Sequence, residues 1–288
     1  MPTTHLPAEL LDHVVDHLHD DKRALSNCCL VSKSWIPRTR KHLFANIHFF
    51  DERDLRWWKR AFPDPSTSPA RYAKSIFIGS PRVLEDAEAN GGGWLRPFSR
   101  VTRMAVKLRS YESLTSTVPL VSFHGFSPVI KSLYLSFIAL PPPHIFDLIV
   151  SFPLLEHLCL VTRAHDKPIH YDDGSGGLQT AAQASSPPKL TGSLALFLMG
   201  GTELITCQLL SLPGGIHFRK LTWTWFYERD LLPIMRLVEE CSQTLKVLRV
   251  VYELSGTSIR HMCPRQWLTP VPSRVGVSFD RPLERDKA

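Results

Sequence analysis

Several common chemistries are missing from this sequence. None of its six cysteines forms a C-x-x-C pair, so paired-thiol zinc and dithiol redox motifs are absent. Most of them sit in apolar runs, where a free thiol behaves as a small hydrophobe, and a reducing compartment, cytoplasmic or nuclear, is expected. No apolar stretch approaches the roughly 18 residues that a bilayer span needs, so no membrane partner is expected. Residues 1–20 carry Glu9, Asp12, Asp16 and Asp20 and neither Lys nor Arg, the opposite of a basic signal-peptide start. No N-x-Ser/Thr acceptor follows Asn27, Asn46 or Asn90. G-x-S-x-G, G-x-x-x-x-G-K-[ST] and G-x-G-x-x-G are also missing, and Gly91-Gly92-Gly93 lacks the lysine of a phosphate loop. No catalytic residue, cofactor or metal is therefore nominated, and the chain is expected not to be an enzyme.

What is present describes a folded protein. The 288 residues are 43% hydrophobic and 21% charged, ordinary globular values that exclude a collagen, a coiled coil or a wholly disordered chain. At roughly 100 to 200 residues per domain the length allows one or two domains. Lys and Arg number 34 against 27 Asp and Glu, a formal charge of +7.

The first fifty residues read as three short helices. Leu10, Leu11, Val14, Val15 and Leu18 recur at helical spacing after Pro7, which suits a helix start. Asp20 or Asp21 offers a cap for a second helix carrying Leu25, Cys28, Cys29 and Val31. A third begins near Ser32 to Ser34, with Trp35, Ile36, Thr39, Leu43 and Phe44 on one face. Three helices in about 45 residues lie near the lower limit for an independent core, so such a unit needs a partner or a following domain.

The residues Leu6-Pro7-Ala8-Glu9-Leu10-Leu11, then Leu25, then Leu30-Val31-Ser32-Lys33-Ser34-Trp35 and finally His42-Leu43-Phe44 closely resemble an F-box of the fungal type. The resemblance covers about a sixth of the chain. Families with this motif use it to bind the small adaptor that bridges to the cullin of a cullin-RING ubiquitin ligase. It implies that Leu6, Pro7, Leu10, Leu11, Val14 and Leu18 supply adaptor-facing surface, with Leu25, Val31 and Trp35 shared between that surface and the small core. It implies further that the chain is a substrate-recognition subunit of an SCF-type ligase, with the adaptor, a cullin through it, and an unknown target protein as partners.

Beyond a short helix at 51–60 and a Pro- and Ser-rich linker to residue 70, one pattern returns, apolar-x-x-apolar-x-apolar. Its central positions are Ile76, Met104, Leu133, Leu158, Leu194, Leu221 and Leu248, about 25 to 29 residues apart with one longer interval of about 36. The long interval holds a Gly-, Ser- and Pro-rich loop at 163–188. Strand and return segment at this period resemble a leucine-rich repeat, although the usual Asn or Cys after the strand is replaced by Pro81, Arg109, Ile138, Arg163, Met199, Phe226 and Glu253. The expected fold class is α+β multidomain: an N-terminal three-helix F-box at 1–50, helix and linker at 51–70, an irregular leucine-rich-repeat-like α/β solenoid at 71–254, and an irregular tail at 255–288. A doubly wound α/β domain is the competing fold.

On the strand face, residues between the apolar pairs nominate Phe77, Lys107, Tyr134, His157 and Arg249 for target contact. His13, His17 and Asp20 have the helical spacing of a zinc site, but the H-E-x-x-H glutamate is missing and a solvated helix face is expected. The alternatives to a ligase subunit are a ligase-independent scaffold or nucleic-acid binding. The latter is suggested by Arg38, Arg40 and Lys41 and by Arg53, Arg56, Lys59 and Arg60 around Trp57-Trp58. Nucleic acid is the less expected partner, because the acidic first helix sits beside these groups and no run reaches five like charges.

Overall fold

The computed structural model describes residues 7–80, 82–83, 86, 94–107, 129–137, 146, 148–162, 190–198, 202–212, 214–225, 230–252 and 278–280. The chain divides into two compact units, Met1–Ile130 and Lys131–Ala288.

The first unit opens with three helices, α1 (Ala8–His17), α2 (Lys22–Val31) and α3 (Ile36–Leu43). Asp21 caps α2 by accepting from the N–H groups of Arg23 and Ala24 at 3.0 and 2.9 Å. α3 is entered through a 3-10 turn, Lys33–Trp35, and holds Pro37 in its first turn, where a missing N–H costs nothing. Val15, Leu25, Cys28 and Thr39 form the small buried interior of these helices.

Strand β1 (Asn46–Phe49) follows α3 after two residues, and β2 (Ser75–Ile78) and β3 (Arg103–Lys107) follow in order. All pair in parallel, with Ile47, Ile76 and Met104 in one row and Phe49, Ile78 and Val106 in another. Helix α4 (Glu52–Ala61) lies between β1 and β2 in sequence, started by a reciprocal capping box in which Asp51 accepts from Arg53 and Asp54 N–H and Asp54 accepts from Asp51 N–H. It buries Leu55 and Trp58. Phe49 packs edge-on against Trp58, Trp94 and Phe98 with centroids 5.9, 5.3 and 6.3 Å apart, an aromatic core under the sheet.

The second unit holds β4 (Ser132–Phe137), β5 (His157–Thr162), β6 (Ser193–Phe197), β7 (Lys220–Trp225), β8 (Val247–Tyr252) and β9 (Ser278–Asp280), again all parallel and in chain order. Leu133, Leu158, Leu194, Leu221 and Leu248 stand in one row of the ladder. Helices α5 (Thr202–Leu210) and α6 (Leu231–Glu240) connect β6 to β7 and β7 to β8 and pack on each other.

The expected fold class is corrected by this arrangement. A free-standing three-helix F-box ahead of an irregular leucine-rich-repeat-like solenoid is not shown. The described strands are uniformly parallel, open and joined by crossovers, which is an α/β fold and not α+β. The physical reason lies at the junction: Ile47 and Phe49 extend the buried rows of β2 and β3, so the helices run straight into a sheet. Nor is either unit doubly wound, since the strand order never reverses. The expected loop at 163–188 lies outside the described residues, as does the tail apart from β9.

Candidate functional site

Side chains of α1 divide by angle. Val15 faces the interior, Leu11 and Leu18 lie half-buried at its margin, and Leu10 and Val14, one turn apart, remain 51% and 50% exposed. The apolar stripe of α1 is therefore wider than the core it covers. α2 repeats the excess, since Leu25 and Cys28 are buried while Leu30 and Val31 are 86% and 69% exposed. Of the residues nominated for adaptor contact, Leu10, Val14 and Val31 thus present apolar surface, Pro7 caps α1 from an exposed position, and Trp35 is half-buried. Leu25 is interior, and Leu6 lies outside the described residues. Leu30 was not nominated, although an apolar residue two places off the buried stripe of α2 is a readable signal.

The pose of α1 is fixed electrostatically. Asp16 receives the Arg38 guanidinium through both carboxylate oxygens and the His42 Nε2 at 2.7 Å. Hydrogen bonds from Arg38 and then His42 hold the Asp16 carboxyl well below the usual carboxylate range. This clamp ties α1 to α3 and sets which face of α1 meets water. The His13, His17 and Asp20 constellation does not close around an ion: His17 Nδ1 is 3.0 Å from the His13 carbonyl, and among the described residues no group of three potential ligands could hold a metal.

The residues nominated for target contact fall in both units. In the first unit, Phe77 shares a sheet face with Lys107 and completes a triangle with His48 and Phe50, with centroids 5.3 to 5.7 Å apart. Phe50 is exposed, and partial desolvation, with the Lys22 charge second, lowers the His48 pKa. Sequence reading missed His48 and Phe50, because β1 carries too few apolar residues to register as a strand.

In the second unit, Tyr134 and Arg249 stand in one row with Cys159, Ala195 and Thr222, and His157 lies on the same face. The middle of that face is buried: Cys159, Val161, Ala195 and Phe197 form an apolar cluster against which Tyr134 packs. Burial pushes the Cys159 thiol far above its ordinary value. His157 stays accessible but tethered, its Nδ1 2.9 Å from Ser193 Oγ and 3.1 Å from the Ser193 N–H that donates to it.

Among the described residues no helix is long and apolar enough to cross a membrane. No family model matches the chain, and no curated protein matches it.

Proposed function

We propose that this chain is the target-recognition subunit of an SCF-type cullin-RING ubiquitin ligase, docking the adaptor through α1 and α2. The observation that carries the reading is the pair of apolar projections into water, Leu10 with Val14 and Leu30 with Val31, in the segment whose sequence resembles an F-box. Burying one such side chain is worth about 1.5 to 3 kcal/mol, so a surface offering four of them gains substantially from a complementary apolar groove. The aromatic triangle of His48, Phe50 and Phe77 supports a second contact, toward a target protein. The chain performs no bond chemistry in this scheme. It raises the local concentration of a target lysine near the charged ubiquitin carrier, which accelerates transfer by proximity.

The test is capture of the adaptor and cullin by the full chain. Replacing Leu30 and Val31 together by Asp abolishes capture while the circular dichroism spectrum is unchanged, because both side chains already face solvent. Undiminished capture by the folded double variant ends this reading. Capture of the adaptor without a cullin points instead to a ligase-independent scaffold.

A further inference from the structure

Helix α4 carries an exposed face that the adaptor reading does not use. At 100° per residue, Arg56, Arg60, Arg53 and Trp57 fall within an arc of about 100°, opposite the buried Leu55 and Trp58. Lys59 leaves this face and pairs with Asp86, and Glu52 pairs with Arg82. Among the described residues Arg53, Arg56 and Arg60 have no ion-pair partner and no guanidinium lies over Trp57, which is 61% exposed. An exposed ring, packed edge-on against Phe62 and flanked by three arginines without an ion-pair partner among the described residues, is a surface that an apolar and acidic partner complements.

Trp57 also belongs to a second feature. It walls a cavity of about 210 Å³ together with Leu43, Phe44, Ile47, Phe49 and Trp58. Three polar residues, Asn46, His48 and Asp54, also line it; Asp54 Oδ2 accepts from Phe50 N–H at 2.8 Å, and Asn46 Oδ1 accepts from the Ser75 hydroxyl at 2.6 Å. The space is below that of a drug-sized ligand site and suits one bulky apolar side chain.

We propose that this composite surface binds an acidic protein segment in extended conformation, with one large apolar side chain in the cavity beside Trp57 and carboxylates on Arg53, Arg56 and Arg60. The lengths agree. The arginines span about 10 Å along α4 at 1.5 Å per residue, and alternate side chains of an extended peptide recur every 7 Å or so, so two or three carboxylates meet the face. Guanidinium and carboxylate then form paired hydrogen bonds, and the ring supplies the anchor contact. Single-stranded nucleic acid fits less well. A 10 Å cationic stretch meets about two phosphates, too few for a strand held mainly by its backbone.

The test uses the full chain and a fluorescein-labelled synthetic peptide in which Glu alternates with Gly around a single central Leu, read by anisotropy. Three outcomes support the proposal: binding by the wild-type chain, loss of at least about tenfold in affinity for the R53E/R56E/R60E variant, and a comparable loss for a peptide with Gln in place of Glu. W57A weakens the same peptide several-fold, and adaptor capture is unchanged in both variants, which separates this site from the α1 and α2 surface. All four positions are solvent-facing, and an unaltered thermal transition verifies the fold. Equal affinity of wild type and triple variant overturns the proposal, as does tighter binding of oligothymidylate than of the peptide. Loss of adaptor capture in the triple variant also overturns it, by assigning the face to the adaptor.

Discussion

Gly192 shows how a single atom is excluded. A Cβ there would stand 2.6 Å from the Glu156 carbonyl oxygen and from the His157 ring, closer than real contacts allow. Gly192→Ala therefore destabilises the protein by about 1 to 3 kcal/mol, read by chemical denaturation. The same neighbourhood sets a pH response. Burial is the main cause of the lowered His157 pKa, against an opposing pull from Glu156, and Ser193 N–H donates to the neutral ring. A histidine whose folded pKa lies below its unfolded 6.5 contributes stability that is complete above pH 6.5 and is lost as the pH falls through the folded value. Denaturation midpoints are thus expected to decline below pH 6.5, and His157→Gln reduces the decline. The clamped Asp16 acts in a separate, more acidic window, because its contribution persists until the pH falls below the ordinary 3.8. On α5, Thr206 is buried and its Oγ1 has no hydrogen-bond partner among the described residues. The isosteric Thr206→Val removes a desolvated hydroxyl and is expected to raise stability by about 1 kcal/mol in the same measurement.

At the level of elements, legibility followed apolar periodicity. The seven repeat centres from Ile76 to Leu248 all fall within strands, in matching register inside each unit, because every copy places leucine-type residues on one buried row. β1 escaped notice since Asn46 and His48 occupy half of its four positions. α5 escaped because two of its four buried residues are threonines, so its inward face lacks the apolar stripe that marks a helix. The fold class was misjudged for a related reason: periodicity reports which residues are buried but not that the first helices lead directly into a parallel sheet. Of the adaptor-facing set, the outward turn of Leu10 and Val14 was readable only as membership of an apolar stripe. Which members clear the core depends on the Asp16 to Arg38 and His42 clamp, a contact between residues more than twenty positions apart.

For the whole molecule, the proposed role is that of a bridge, and bridges obey mass action. In a reconstituted ligase with fixed adaptor complex and fixed target, ubiquitin transfer is expected to rise and then fall as this chain is added, because excess chain occupies adaptor and target on different molecules. A monotonic rise to a plateau contradicts a bridging role. The formal charge of +7 makes the early part of that curve depend on ionic strength where the target is acidic.

The burial of Cys159 extends to bench practice. Its sulfur is sealed within the sheet and held as a thiol, whereas Cys207 is open to water and Cys29 partly so. Among the described cysteines a maleimide dye therefore marks Cys207 first and spares Cys159 until that strand opens. Delayed alkylation at residue 159, followed by mass spectrometry, becomes a clock for how often the second unit breathes, with no mutation required.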